Sequence, residues 1–386
     1  MEQQTKTKQL PKGWKELKLF EVLDYEQPNE YIVNTKILDE ETSTPVLTPN
    51  KGFIKGYTKE TKGIFKEVPV IIFDDFTTDI KFVDFPFKVK SSAMKILKLK
   101  DKSALLKYIF YQMQTTDVRT TTHKRYYLSE YQNLDFLFPI DSNQKISLEK
   151  QEEVVSAIET QFTRLDESIK SLKLVKDKLE VYRKAVLKKA FENGDETELG
   201  KAFKIVMGQS PASEFYNKDK KGLPFFQGKK EFGDKYPEVE VWTEQYNKEA
   251  NKGDLLVSIR APIGPCNIAP DRCAIGRGIA AIKANDKIES LLLFYLIKYY
   301  RQQLDTKGTG TTFKAISKEG LNSFRVQLPK KQDWVKIVQS IENKFSVIDK
   351  VEQVIEESLL KAEKLRKSIL KSAFEGKLVK FAEVKR

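Results

Sequence analysis

The residues best suited to chemistry are few and scattered in this sequence. His123 is the only histidine, and Cys266 and Cys273 have no third cysteine beside them. A zinc site needs about four such ligands, and a disulfide framework needs more cysteines than two. His123 lies in the polar stretch TTTHKRYY, which is typical of a surface imidazole. The sequence therefore predicts no metal site, no disulfide and no cofactor.

The sequence lacks a clear signature of three kinds of enzyme site. An amino-methyltransferase needs two adjacent prolines in its active-site motif, and no two of the 14 prolines are adjacent. The glycine-rich stretch TKGTGTTFK lacks the Gly-Lys-Ser/Thr ending of a phosphate-binding loop. Asp74 or Asp75 followed by Asp79-Ile80-Lys81 resembles a metal-binding nuclease pattern, but Asp-x-Lys is common in a lysine-rich chain. We therefore expect a non-catalytic protein.

Positive charge is the main compositional signal. The net charge is +13 and the sequence pI is about 9.2. Residues 201–330 carry 22 Lys and Arg against 14 Asp and Glu, so much of the excess lies there. A basic surface favours a polyanionic partner. A lysine-rich proteome is the alternative explanation.

The hydropathy pattern predicts a protein without membrane segments. The opening stretch MEQQTKTKQLPKG lacks an apolar run, and the longest one, LLLFYLI from Leu291, is far shorter than the roughly 20 residues of a spanning helix. We expect a cytoplasmic protein that does not bind membranes.

The elements that position any site are organised by a long repeat. Residues 151–192 align with residues 334–375 at a constant offset of 183, and about a third of the 42 positions are identical. Neither stretch contains Gly or Pro, and a glycine follows each one, at Gly194 and Gly376. This pattern predicts two long helices that stop at glycines.

Both helices have a seven-residue apolar rhythm, which favours supercoiling against a partner helix. The obvious partner of each helix is the other copy, although each could instead pack on its own neighbouring domain. The rhythmic positions are Ile158, Leu165, Leu172, Leu179 and Val186, then Ile341, Ile348, Ile355, Ala362 and Ile369. Further members of the predicted stripe are Phe162, Ile169, Val175, Tyr182, Phe345, Val351, Leu359 and Leu365.

A mixed block precedes each long helix. Strand-like runs separated by turn residues occur at 67–73, 81–89, 253–259 and 278–284, and helical runs at 103–113 and 289–300. We predict an α+β fold with a pseudo-two-fold internal repeat, in which two α/β-type blocks are separated by two long antiparallel coiled-coil helices. The predicted boundaries are 1–146 (first block), 147–196 (central helix), 197–330 (second block), 331–378 (distal helix) and 379–386 (C-terminal tail).

This arrangement resembles the specificity subunit of type I restriction-modification systems. The similarity covers nearly the whole chain and includes the paired helix endings YRKAVLKKAFENG and LRKSILKSAFEGKL. In the first block it includes TPVLTPNKGFIKGYT and IKFVDFPFKVKSSAMKIL. In the second block it includes GQSPASEFYN, LPFFQG, SIRAPIGPCNIA, CAIGRGIAAI and GTTFKAIS. The first block lacks the IGRG motif of the second block.

The resemblance implies that the blocks are two target-recognition domains, each reading half of a bipartite, asymmetric sequence in double-stranded DNA. It further implies that the helices dock two adenine methyltransferase subunits, with restriction/translocase subunits added in systems that also restrict. The alternative from another class is a coiled-coil scaffold whose flanking domains bind protein or peptide.

Cationic and amide side chains on loops are the groups that position and read a duplex. In the first block the candidates are Lys51, Lys55, Tyr57, Lys62, Thr77, Lys88, Lys90, Arg119, Thr121, Lys124 and Arg125, with His123 among them. In the second block they are Gln209, Ser210, Gln227, Lys229, Lys230, Arg260, Arg277, Lys307, Thr311, Thr312 and Lys314. We single out Arg260 and Arg277, because each lies beside a Gly or Pro turn at a strand edge.

Overall fold

The structure is a computed structural model that describes residues 10–37, 43–48, 52–116, 125–309 and 314–381. The chain divides into two compact units. The first unit contains Met1–Ser171 and Glu357–Arg386, and the second contains Leu172–Glu356. Among the described residues, no helix is both long enough and apolar enough to cross a bilayer.

The first unit combines short sheets with the start of a long helix. Its strands are β1 Trp14–Lys18, β2 Leu23–Glu26, β3 Thr44–Leu47, β4 Ile54–Thr58, β5 Val70–Asp74, β6 Ile80–Val83, β7 Lys88–Val89, β8 Met94–Leu99 and β9 Asp135–Pro139. Its helices are α1 Leu19–Val22, α2 Leu106–Met113, α3 Tyr126–Ser129 and the beginning of α4 Leu148–Phe191. The sheets have the strand orders β2-β8-β5-β6, β4-β3-β7 and β1-β9.

Strand β5 is a buried inner strand of the β2-β8-β5-β6 sheet. All five of its residues are buried, as a run of consecutive apolar residues predicts, and it pairs antiparallel with β6 and β8. The strand predicted at 81–89 is instead two strands, β6 and β7, in different sheets. Pro86 lies between them, and proline has no N–H to continue a ladder.

The second unit is again a mixture of small sheets and helices. Its strands are β10 Asp195–Glu198, β11 Ile205–Met207, β12 Tyr216–Asn217, β13 Leu223–Phe226, β14 Trp242–Thr243, β15 Glu249–Ala250, β16 Leu255–Ser258, β17 Cys266–Ile268, β18 Cys273–Ile275, β19 Ile279–Ile282 and β20 Arg325–Leu328. Its helices are α5 Leu199–Ala202, α6 Lys287–Thr306, α7 Lys318–Asn322, the part of α4 from Leu172 onward and the part of α8 Trp334–Phe374 up to Glu356. The strand orders are β11-β19-β16-β17, β12-β14-β13-β18-β15 and β10-β20.

The predicted long helices are confirmed as α4, of 44 residues, and α8, of 41 residues. In the second unit, Arg183 of α4 pairs with Asp349 and Glu352 of α8, and the ammonium of Lys176 lies 3.0 Å from the carboxylate of Glu356. In the first unit, Arg366 of α8 pairs with Asp166 of α4. In the second unit, position numbers along α4 rise as those of their partners along α8 fall.

The seven-residue positions of both helices are buried or half-buried. The stripe prediction is wrong at Val175, Tyr182, Val351 and Leu365, which are exposed. The helices contact each other through the rhythmic positions and those four residues further on, such as Arg183 and Phe345. A side chain three residues further on therefore faces away from the partner helix.

The C-terminal ends of the two long helices fill domain cores. In the second unit, Val186, Leu187 and Phe191 of α4 belong to a core formed mainly with α6, β16, β17 and β19. In the first unit, Ile369, Leu370, Ala373 and Phe374 of α8 belong to the core around α2 and β9. The ring centroids of Phe374 and Tyr108 lie 5.2 Å apart. Each long helix therefore ends in apolar side chains that fill the core of one unit.

Candidate nucleic-acid interface

Three loops of the second unit cross at a set of glycines. The N–H of Gly208 donates to the carbonyl of Ile279 at 2.8 Å, and the N–H of Gly276 donates to the carbonyl of Phe226 at 2.8 Å. A Cβ added to Gly208 would lie 2.2 Å from the carbonyl oxygen of Gly276, and one added to Gly278 would lie 2.2 Å from the carbonyl oxygen of Gln227. Only glycine permits this close approach of backbones.

The crossing brings four of the predicted residues together, and we call Gln209, Ser210, Gln227 and Arg277 the amide–arginine cluster. The backbone N–H of Arg277 donates to the hydroxyl of Ser210 at 3.1 Å. The side chains of Gln209, Gln227 and Arg277 are exposed, whereas Ser210 is half-buried. Amide and guanidinium groups are those that make bidentate contacts with adenine and guanine edges.

Arg260 adjoins this cluster. The N–H of Ile259 donates to the carbonyl of Gly278 at 3.0 Å, which places the next residue, the exposed Arg260, beside the glycine crossing. Arg260 also forms a β-bridge with Ala315, the residue after Lys314. The exposed face of the second unit therefore carries two arginines on a rigid backbone.

Lys314, predicted to contact DNA, forms an ion pair within the second unit. Its ammonium lies 2.8 Å from a carboxylate oxygen of Asp305, whose other oxygen accepts from the N–H of Ile263 at 3.1 Å. The ion pair and that hydrogen bond lower the pKa of Asp305. Sequence reasoning missed Asp305 as the anchor of this loop, because no motif links it to Lys314. Lys307 is exposed.

Lys229 and Lys230 are exposed next to the cluster in sequence, two and three residues after Gln227. The ammonium of Lys230 lies 2.8 Å from the carboxylate of Glu240, but both side chains are more than half exposed. Exposed ion pairs of this kind contribute little and exchange readily. Both lysines can therefore contact a phosphate.

The first unit brings its predicted residues into two groups. Lys55 and Tyr57 lie two residues apart on β4 and therefore share one face of the β4-β3-β7 sheet, while Lys90 follows β7. The second group is Thr77 and Arg125, because the N–H of Tyr126 donates to the carbonyl of Asp75 at 3.0 Å. All but Tyr57 are exposed, and Tyr57 is half-buried.

The prediction for Lys88 is wrong. Its side chain is only 2% exposed, and its ammonium contacts the carboxylate of Glu60 at 2.9 Å and the carbonyls of Lys62 and Gly63 at 2.8 and 3.0 Å. It therefore ties the 60–63 loop to β7 and is not free to contact DNA. The side chain of Lys62 itself is exposed.

The nuclease-like carboxylates have structural partners. Asp74 accepts hydrogen bonds from the N–H groups of Phe76 and Thr77 at 2.8 and 3.2 Å. Asp75 accepts from the N–H of Tyr127 at 3.0 Å and lies 3.5 Å from the buried ammonium of Lys95. These bonds hold the turn that carries Thr77 against the segment that carries Arg125.

Cys266 and Cys273 are buried free cysteines, and burial raises the pKa of both to about 12, so they are thiols at neutral pH. Within the described part of the chain, no three His, Cys, Asp or Glu side chains converge as metal ligands. The predicted residues outside the described ranges are Lys51, Arg119, Thr121, His123, Lys124, Thr311 and Thr312.

Glu60 is a stability determinant that sequence reasoning missed. Its carboxylate accepts from the N–H groups of Asn34 and Thr35 at 2.9 and 2.7 Å, in addition to its ion pair with Lys88. The hydrogen bond from Lys88 is the main cause that lowers the pKa of Glu60 to about 2. Because the folded pKa is depressed, this stabilisation is present above about pH 4.5 and is lost as the pH falls towards 2.

Glu60→Gln should therefore destabilise the first unit at pH 7 by about 3 kcal/mol, because the buried ammonium of Lys88 loses its counter-charge. That corresponds to a fall in melting temperature of roughly 6–12 °C. The stability difference from the parent should shrink as the pH falls from 4.5 to 2. Glu67→Gln, at a 78% exposed partner of Lys98, is the matched control and should have little effect. Equal melting temperatures at pH 7 would contradict this role.

Exposed amide and cationic side chains on loops of two structured units are typical of a protein that binds nucleic acid. Residues 192–359 match the family model described as the type I restriction modification DNA specificity domain.

Two curated relatives extend this match. The chain is 30% identical over 362 residues to the type I restriction enzyme EcoR124I/EcoR124II specificity subunit of Escherichia coli, covering 86% of each. It is 37% identical over 200 residues to the type I restriction enzyme MjaX specificity subunit of Methanocaldococcus jannaschii, covering 51% of this chain and 46% of that relative. The chain belongs to the family of type I restriction enzyme specificity subunits, as the resemblance in its sequence predicted.

Solved structures show the same fold. A chain from a study of complex assembly and conformational transition of the type I R-M system has a TM-score of 0.75 at 24% identity, covering 96% of this chain and 100% of that one. The HsdS subunit from Thermoanaerobacter tengcongensis has a TM-score of 0.59 at 24% identity, covering 96% and 99%.

Proposed function

We propose that this chain is the non-catalytic subunit that reads a bipartite, asymmetric sequence in double-stranded DNA and directs methyltransferase subunits to it. The observation that carries the proposal is the amide–arginine cluster, which the glycine crossing holds in place in a chain that belongs to this family. Restriction/translocase subunits would join the same assembly, which would act in the cytoplasm. The chemistry and its cofactors would belong to those partners.

We further propose the domain plan 1–146 and 197–330 as recognition domains, 147–196 and 331–378 as coiled-coil helices, and 379–386 as a tail. The pairs Arg183–Asp349 and Arg366–Asp166 support an internal repeat, because each residue of one pair is 183 positions from its counterpart in the other. A pseudo-two-fold arrangement of antiparallel helices would follow from that equivalence.

The proposed DNA contacts exclude Lys88, and those among the described residues are exposed or half-buried. In the first domain they are Lys51, Lys55, Tyr57, Lys62, Thr77, Lys90, Arg119, Thr121, Lys124 and Arg125. In the second domain they are Gln209, Ser210, Gln227, Lys229, Lys230, Arg260, Arg277, Lys307, Thr311, Thr312 and Lys314.

An apolar face on the long helices of the second unit supports methyltransferase docking. Seven side chains that point away from the helix–helix contact are between 36% and 66% exposed, and a patch of this kind is typical of a protein interface. They are Leu174, Val175, Val181, Tyr182, Val347, Val351 and Val354. We name them the apolar helix face.

Methylome sequencing of a host that expresses this chain with its methyltransferase tests the function. We expect one asymmetric motif made of two specific halves, methylated in both. Binding to a DNA duplex carrying that motif should weaken steeply with salt, because phosphate contacts release counterions. A scaffold that binds an apolar peptide would give neither a motif nor that salt dependence.

Arg260→Ala and Arg277→Ala should alter only the half of the motif read by the second domain. A bidentate base contact is worth about 1–3 kcal/mol, so discrimination at the contacted base should fall roughly 5- to 150-fold. Lys218→Ala, an exposed lysine of the same unit outside the cluster, is the control and should leave the motif unchanged. Equal loss in both halves would show that the arginines support folding or partner docking.

A further inference from the structure

In the first unit, a tyrosine of the recognition domain reaches one of the long helices. The hydroxyl of Tyr111, on α2, donates to the carboxylate of Glu159, on α4, at 3.1 Å. The ammonium of Lys107, one turn earlier on α2, lies 2.6 Å from the same oxygen. The ring of Tyr111 meets the ring of Phe162 edge-on, at 5.8 Å between centroids.

The second long helix completes this contact. The guanidinium of Arg366, on α8, lies 4.3 Å from the centroid of the Phe162 ring and pairs with Asp166. One phenylalanine ring therefore has the domain tyrosine at its edge and the arginine of the other long helix on its face. Three helices are held together at one point.

The second unit contains the same contact. Tyr295, on α6, donates to Glu342 and meets the ring of Phe345 edge-on at 5.5 Å. The guanidinium of Arg183 lies 5.0 Å from the centroid of Phe345 and pairs with Asp349. The ammonium of Lys235 lies 3.0 Å from the Glu342 carboxylate.

We call each cluster of Tyr, Glu, Phe, Asp and Arg a joint. The Glu, Phe, Asp and Arg members of the two joints are separated by 183 positions, and the tyrosines by 184. Around them the two long helices differ at most positions. The joint is therefore a feature of both units and not an accident of one.

We propose that the two joints are positioning devices, which fix the direction of each recognition domain on the long helices and thereby set the spacing accepted between the two DNA half-sites. This inference rests on the proposed function. Adding one base pair between half-sites turns one of them by about 35° and shifts it by about 3.4 Å relative to the other. A domain held at a rigid three-helix contact cannot follow that movement, whereas a loosened domain can.

The protonation states favour a rigid joint. Burial opposes ionisation of Glu342, but the hydrogen bond from Tyr295 and the ammonium of Lys235 outweigh it and lower the pKa of that carboxyl. Burial and the same carboxylate raise the pKa of Tyr295. The proton therefore stays on the phenol at neutral pH, and the hydrogen bond is charge-assisted.

The test measures methylation of DNA libraries in which the half-sites lie at their natural spacing or at one base pair more or less. Tyr295→Phe combined with Glu342→Gln loosens one joint while keeping its packing, and Tyr111→Phe combined with Glu159→Gln loosens the other. Each double variant should reduce the preference for natural spacing about tenfold, the effect of losing one good hydrogen bond on an equilibrium. Base preference within each half should be unchanged.

Glu196→Gln is the matched control, because it breaks an exposed ion pair with Arg325 in the second unit without touching the joint. A variant that merely destabilises the fold lowers methylation at every spacing alike and leaves the ratio unchanged. Exchanging the charges, with Asp166→Arg and Arg366→Asp together, should restore selectivity that either change alone reduces. An unchanged spacing ratio in both joint variants would overturn the inference.

A second measurement does not depend on DNA recognition. Spin labels at Lys218→Cys, in the domain, and Lys350→Cys, on α8, are both exposed, whereas the native cysteines are buried. The distance distribution between the labels should broaden when the joint of Tyr295 and Glu342 is loosened, and not in the Glu196→Gln control. If the parent chain marks no bipartite motif, the proposed function fails. If this distribution stays narrow, the joint itself fails.

Discussion

Ile355→Lys is expected to separate the two long helices where they pass through the second unit. Ile355 is 3% exposed, at a rhythmic position of α8 that faces α4. The change removes a buried apolar side chain and places an ammonium without a counter-charge at the helix contact. We expect a loss of about 3–5 kcal/mol in the free energy of unfolding. In a unit of this size the melting temperature should fall by roughly 6–20 °C.

Methylation of the motif should also be lost, because the recognition domain would no longer be held by both helices. Circular dichroism during heating measures the stability, and methylome sequencing measures the function. The adjacent change Val354→Lys is the matched control, since Val354 is 60% exposed and belongs to the apolar helix face. It should leave stability within about 0.5 kcal/mol and weaken capture of the methyltransferase. Equal melting temperatures for both variants would show that α4 and α8 do not stabilise each other.

A shortened chain of residues 1–196 is expected to form a two-fold dimer. Without α8, the first unit loses Ile369, Leu370 and Phe374 from its core, and α4 loses its partner helix. The C-terminal end of α4 carries the equivalent apolar side chains, Val186, Leu187 and Phe191. A second copy of the chain can supply these side chains to the unfilled core, and closed two-fold pairing buries both sets of them.

The register of this dimer follows from the ion pairs. Arg366 binds Asp166 in the full chain, and Arg183 is the corresponding arginine one repeat earlier. Asp166 of one copy should therefore pair with Arg183 of the other. Arg183→Asp should weaken the dimer, and adding Asp166→Arg should restore it. Sedimentation measures both effects.

With the methyltransferase, this dimer should modify a palindrome made of the first half of the natural motif and its inverted repeat. The two reading domains would be identical, so an asymmetric target would no longer be preferred. The centres of the two halves should lie about one helical turn, roughly 10–10.5 base pairs, or a multiple of it, apart. A folded monomer, or continued methylation of an asymmetric motif, would rule out the pairing.

The long helices were predictable because their signal is local and repeated. The seven-residue rhythm and the terminal glycines predicted 151–192 and 334–375, and the structure has Leu148–Phe191 and Trp334–Phe374. The rhythm did not show whether the side chains three residues or four residues after each rhythmic position contact the partner helix. Tyr182 and Leu365 were expected at the contact for that reason and are instead about half exposed.

The sequence suggested candidate contact residues by their type, but it did not show which of them lie together. The glycines beside Arg277 indicated a turn, yet its crossing with Gly208 depends on pairing between strands far apart in sequence. Lys88 shows the converse error. A lysine at this place suggested a phosphate contact. The side chain of Lys88 is instead buried in an ion pair with Glu60, 28 residues away, and no short-range pattern in the sequence encodes that contact.

The contribution of α8 to the first unit sets an order of events during protein synthesis. The second unit is continuous from Leu172 to Glu356, whereas the core of the first unit needs residues 369–374. At roughly 5–20 residues per second, the ribosome takes about 10–40 s to travel from residue 162 to residue 374. The domain made first is thus completed last, and until then its unfilled core is a target for chaperones. Substitutions in the final helix should therefore appear in cells as misfolding of the N-terminal domain.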